Sequence, residues 1–230
     1  MEMRLLAKGL NNAGFTVYGM QLAGHCGDIE DLLATGWRDW YASVEAAADK
    51  LLERVDHLFV GGLSMGALLS LKLAAERPQQ VAGVGVYGAT KLGLGRHRVF
   101  EEQHPYGLRD ERLRNQVEAA MRSGDSTVAG LLGNPWHSLA DLYQLSTHVR
   151  GLLPRVTSPC LVAHAAEDDV ASVRNAEAVL RGVNAPTELL LLEDSYHMIT
   201  IDKERRTLIE RSARFFDAIV AGRTAERAAA

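Results

Sequence analysis

Apolar and polar positions follow two different periods along the chain, and each change of period marks an element. Leu5, Leu6 and Leu10 recur at helical spacing, with Asn11 and Asn12 near the end, which predicts a short amphipathic helix over 3–12. Gly14 closes it, and 15–22 reads as a strand followed by a loop over 23–28. A long helix with interspersed charges is predicted over 37–55. Short apolar runs at 57–63, 81–86, 159–165 and 187–192 read as strands, and helical patterns occupy 66–76, 171–182 and 203–220. Strands alternating with helices predict an α/β fold, a mostly parallel sheet covered by helices on both faces.

The rhythm breaks between Lys91 and Gly151. That stretch holds no good strand, only helical patterns rich in Arg and Glu, punctuated by Pro105, Gly124 and Gly133-Asn134-Pro135. It reads as a helical insertion in an α/β core. The expected organisation is a first part of the core over 1–90, a helical cap over 91–151, a second part over 152–222 and a frayed tail over 223–230. With 230 residues, 47% of them apolar, the chain can bury one sizeable core. A net charge of −4 argues against nucleic acid and anionic membrane surfaces as partners. Cys26 and Cys160 form no disulfide framework, no apolar run reaches transmembrane length, and the first residues lack a signal-peptide pattern. A cytoplasmic location is expected. A homo-oligomer is compatible with this composition but not read from it.

One stretch carries chemistry. Gly62-Leu63-Ser64-Met65-Gly66 fits G-x-S-x-G, with a predicted strand before it and a predicted helix after it. A serine on so sharp a turn holds strained backbone angles, so the side chains two residues to either side must nearly vanish. The turn would also aim the Met65 N–H, at a helix N-terminus, toward the space above the serine, as an oxyanion donor. A phosphate cradle is disfavoured because no Lys-Ser/Thr pair follows.

A serine nucleophile needs a base, and the base an acid to orient it. Of eight histidines, His197 lies just past the last predicted strand, at the sheet edge where Ser64 is expected. His25 is the one competitor at that edge and reads better as a loop or pocket-wall residue; His164, inside a strand, reads as a buried core histidine. Glu167-Asp168-Asp169 follows a predicted strand, and Asp168 is the preferred acid, with Asp169 second and Asp194 a local alternative. The order Ser64, Asp168, His197 is that of α/β-hydrolases. No metal site is visible, because His25-Cys26 lacks a second ligand pair, and no cofactor is expected.

With these residues in place the chain resembles the α/β-hydrolase superfamily, and within it the bacterial carboxylesterase and monoacylglycerol-lipase group. The matching pieces are 15–18 with Leu22-Ala-Gly-His25, the serine pentapeptide, 164–170, and Asp194-Ser-Tyr-His197-Met-Ile-Thr-Ile-Asp202. The resemblance implies Ser64 as nucleophile, His197 as base, Asp168 as its partner, and a helical cap where 91–151 falls. It further implies an upstream strand, between 15–22 and 57–63 in the sheet, and a His-Gly-aromatic loop supplying the second oxyanion donor. Neither is in the sequence, which is therefore expected to lack residues before Met1, and the abrupt Gly88–Leu92 junction suggests a second omission after Thr90.

The expected substrate is a small neutral ester with a short or medium acyl chain, monoacylglycerol included. Leu131, Leu132, Trp136, Leu139, Leu142 and Tyr143 are candidates to line its acyl pocket, although an apolar helix face packed on the core explains most of them as well. Alternatives are thioesterase, lactonase or amidase chemistry on the same residues, a cofactor-free lyase or haloperoxidase-type reaction, and a hydrolase-fold protein that binds a ligand without turnover.

Overall fold

The structure, a computed structural model, describes residues 2–25, 27–90, 107–123 and 136–229. In chain order these form α1 (Arg4–Asn12), α2 (Ile29–Leu33), α3 (Trp37–Leu52), β1 (Leu58–Leu63), α4 (Met65–Glu76), β2 (Val81–Tyr87), α5 (Glu111–Ser123) and α6 (Trp136–Leu152). A 3-10 turn (Leu153–Arg155), β3 (Cys160–Ala165), α7 (Arg174–Gly182), β4 (Thr187–Leu192) and α8 (Arg205–Ala229) complete them. The short α2 has no apolar period to announce it. It is held by Asp28, whose carboxylate accepts from the Glu30 and Asp31 N–H groups while Asp31 answers the Asp28 N–H.

All strand pairs are parallel, in the order β1-β2-β3-β4. The registers Leu63↔Tyr87, Tyr87↔Ala163 and Ala165↔Leu192 bring the C-terminal ends of the strands to one edge. β2 and β3 are buried along their whole length, which is why they read as apolar runs, broken in β3 only by His164. Because every crossover steps the same way along the sheet, right-handed connections put α4, α6 and α7 on one face. There Trp40, Val44, Leu68, Val84, Leu145 and Val162 share one core. On the other face α1 and α8 close a second core around Leu6, Tyr87, Leu161, Phe215 and Phe216.

Two expectations are corrected. Residues 15–22 form no strand and pair with none among the described residues. A strand needs a neighbour's backbone about 4.8 Å away. Between this segment and β1 there is instead a cavity of about 400 Å³, lined by Phe15, Val17, Met20, Phe59 and Val60 among others. And the last helix, expected to stop at 220 before a frayed tail, continues to Ala229. Of the stretch expected as a cap, α6 turns Leu145 and Val149 into the first core and fixes its N-terminal half by Asp141, which accepts the Trp37 N–H at 3.1 Å. Among the described residues no helix is long and apolar enough to cross a membrane.

Candidate active site

Ser64 sits between β1 and α4 with φ 55° and ψ −112°, the one non-glycine residue at positive φ among those described. Such backbone angles cost about 1–3 kcal/mol and persist only where neighbours fix them. Here the Ser64 N–H donates to Tyr87 O at 2.8 Å, which ties the turn to the end of β2. Gly62 is required: a Cβ there would lie 2.7 Å from Gly66 Cα. Gly66 is not required in the same way, since a Cβ on it meets nothing outside its own helix within 4 Å. The close approach is therefore one-sided, a correction to the symmetric expectation. The Ser64 residue is half-buried, and Met65 opens α4, so its N–H has no acceptor within the helix.

Asp168 and His197 come from the loops after β3 and β4, and they meet: His197 Nδ1 lies 2.8 Å from Asp168 Oδ2, with the carboxylate fully buried and the imidazole nearly so. Asp168 Oδ1 accepts the Val170 N–H at 2.8 Å and the Ala171 N–H at 2.6 Å. Burial alone would raise the Asp168 carboxyl, but the hydrogen bond and charge of His197, the charge of His164 and the Ala171 N–H together hold it below the usual range. The His197 ring faces the end of β2: a Cβ on Gly88 would sit 3.5 Å from His197 Cε1 and 3.3 Å from Leu63 Cδ1. Ser64 and His197 thus converge on Tyr87–Gly88, the serine through its backbone and the histidine through its ring.

Two further carboxylates, which sequence reasoning left without this role, hold the histidine loop in place. Asp169 Oδ1 accepts the His197 N–H at 3.1 Å and its Oδ2 accepts the Gly107 N–H at 3.0 Å. Asp202, fully buried, accepts the N–H groups of Tyr196 (2.8 Å), Arg109 (2.9 Å) and Asp110 (2.9 Å). Gly107 O in turn accepts the Met198 N–H at 2.9 Å. Gly107 is at φ 73° and packs so closely that a Cβ would lie 3.3 Å from His197 Cβ. The segment leading into α5 is thereby sewn to the loop that carries His197. The signal was present as Asp202 in the Ile-Thr-x-Asp run, but its partners are not adjacent in sequence.

The other candidates fall elsewhere. His25 Nδ1 is 2.9 Å from Ala23 O and its ring stands edge-on to Trp40. Asp194 is exposed and pairs with Lys203 and Arg109, not with His197. His137 lies near Asp141, and His148 stacks on Trp37. Of the acyl-pocket candidates, Leu142 packs against the first core, Leu139 is half-buried and Tyr143 is 65% exposed. Leu131, Leu132 and the Trp136 side chain lie outside the described residues, as do Cys26, His97 and His104. Among the described residues no cluster of His, Cys, Asp and Glu is arranged to hold a metal ion.

Residues 2–210 match the model of the alpha/beta hydrolase family. The chain is 31% identical over 216 residues to the thermostable monoacylglycerol lipase of Bacillus sp. (strain H-257), covering 94% of this chain and 84% of that protein. It is 28% identical over 217 residues to a carboxylesterase of Bacillus subtilis (strain 168), covering 89% and 82%. Among solved structures it superimposes with a TM-score of 0.79 and 30% identity on one from the metagenome-derived lipolytic enzymes LipS and LipT, covering 94% of this chain and 88% of that one. A soluble variant of monoglyceride lipase from Saccharomyces cerevisiae shares the fold, with a TM-score of 0.73 at 16% identity, covering 95% and 82%. The chain belongs to the α/β-hydrolase family.

Proposed function

We propose that this α/β hydrolase cleaves carboxylic esters of short or medium acyl chain, monoacylglycerols included, through an acyl-enzyme on Ser64. The observation that carries the reading is the convergence at one sheet edge. A strained, accessible Ser64 heads α4, and an Asp168–His197 pair at 2.8 Å faces the same end of β2. The named relatives, a monoacylglycerol lipase and a carboxylesterase, support the ester as substrate class.

In this reading His197 Nε2 takes the Ser64 hydroxyl proton as the oxygen attacks the ester carbonyl. The proton then passes to the leaving alcohol, and water, activated by the same imidazole, releases the acid. Asp168 fixes the tautomer by accepting from Nδ1, and it stabilises the imidazolium without taking its proton. The Met65 N–H serves as an oxyanion donor at the N-terminus of α4, where the helix favours negative charge.

The test is intact mass before and after a fluorophosphonate, with peptide mapping of the adduct. One adduct on Ser64, absent in H197A, is expected, together with turnover of p-nitrophenyl esters and a monoacylglycerol. A folded protein that takes no adduct and turns over no ester would sink this reading.

A further inference from the structure

A second histidine stands behind Asp168, and the proposed reaction gives it no task. His164, in β3, is fully buried. Its Nε2 lies 2.9 Å from Ala171 O and 3.3 Å from Asp168 Oδ2. Both neighbours can only accept, so Nε2 carries the proton and Nδ1 is the bare lone pair. Consistent with that tautomer, Nδ1 is buried with no partner. Both carboxylate oxygens are held. Oδ1 takes two backbone N–H groups and Oδ2 pairs with His197 Nδ1, while His164 Nε2, hydrogen-bonded to Ala171 O, stands 3.3 Å from Oδ2 as a polar contact. Ala171 closes the ring, giving its N–H to Asp168 and its C=O to His164.

Packing alone does not account for this side chain. An apolar residue would fill a buried strand position without stranding a lone pair, whose desolvation is unfavourable. Burial lowers the His164 pKa, which keeps the ring neutral. The titratable groups that bear on it are Asp168, which favours its charged form, and His197, which opposes it; those that bear on Asp168 are the same two histidines. A neutral ring can stand beside Oδ2 while His197 hydrogen-bonds to it, whereas a second cation would compete for that oxygen.

We infer that His164 is a positioning residue for the proposed ester hydrolysis: fastened to Ala171 O, its ring stands against Asp168 Oδ2 and keeps that oxygen turned toward His197. The inference rests on the Ser64–His197–Asp168 reading. Its consequence is that the orientation of the base depends on His164 through Asp168.

The test compares H164Q with H164L. Glutamine puts an amide nitrogen near the Nε2 position with two hydrogens, one for each acceptor, and does not titrate. Leucine fills the space with no donor. H164L is expected to lose about tenfold or more in kcat at unchanged KM, as a misaimed catalytic group does. H164Q is expected to keep kcat within about threefold at unchanged KM. Equal behaviour of the two variants, whether both active or both impaired, would overturn the inference. Should H164L fail to fold, H164N replaces it, since its shorter amide does not reach Asp168; a match to H164Q would then be the overturning result. The downfield proton resonance of His197 Nδ1 gives a readout without turnover and is expected to move in H164L but not in H164Q. If the wild-type chain hydrolyses no ester and takes no fluorophosphonate, the esterase reading fails; that resonance still decides whether His164 sets the Asp168–His197 bond.

Discussion

At the scale of single residues, the buried pair His164 and Asp168 makes stability depend on pH in two separate windows. Burial lowers the His164 pKa from the ordinary 6.5, so the unfolded chain binds that proton more readily than the folded one. Stability from this group is complete above about pH 6.5 and is lost as pH falls from there toward the lowered folded value. Asp168 is opposed by burial but held below the ordinary 3.8 chiefly by His197, so its contribution is present above 3.8 and is lost as pH falls through its folded value. Urea unfolding across pH 3–8 is expected to show a decline below pH 6.5 that flattens in H164Q, and a second decline below pH 4 that remains. An H164Q profile parallel to wild type over the upper window would contradict the first assignment.

At the scale of elements, what the chain revealed about itself depended on how far apart the partners lie. The turn at Ser64 was legible because strand, glycine and helix are contiguous, and its positive φ is a local property. Asp168 and His197 were legible because each follows a strand at the same sheet edge. Asp202 was not legible as a fastener, since it reaches across 93 residues to Arg109 and 92 to Asp110. No period or propensity encodes such a contact. The segment 15–22 reads as a strand and forms none for a related reason: a strand-like run in sequence says nothing about whether a neighbour stands beside it. The Asp202 contacts predict a large effect. D202A would leave three N–H groups without their acceptor, each worth about 1–3 kcal/mol where burial keeps water out. Urea unfolding of D202A is expected to show a loss of several kcal/mol, on the order of those costs summed. Ester turnover is expected to fall with it, because Tyr196 and Met198 flank His197. A D202A protein as stable as wild type would mean that water replaces the carboxylate.

At the scale of the whole molecule, protection is uneven across the sheet, and the serine stands where it changes. β2 and β3 have strands on both sides and a core on each face. β1 is the outer strand of the described sheet, with β2 on one side and the cavity of about 400 Å³ on the other. In a parallel sheet, alternate amides of a strand point to opposite neighbours, so half of the β1 N–H groups face β2 and half face the cavity. Hydrogen exchange is expected to find β2 and β3 amides opening only with global unfolding. Along β1 it is expected to alternate, with cavity-facing amides faster by about 100-fold or more. The Ser64 N–H, which donates to Tyr87 O at 2.8 Å, belongs with the slow set. That bond lets a strained nucleophile turn at the end of the less protected strand take its rigidity from β2. Uniform protection along β1 would mean that its outer edge is covered in solution, and rapid exchange at Ser64 would mean that the turn is not held by β2 at all.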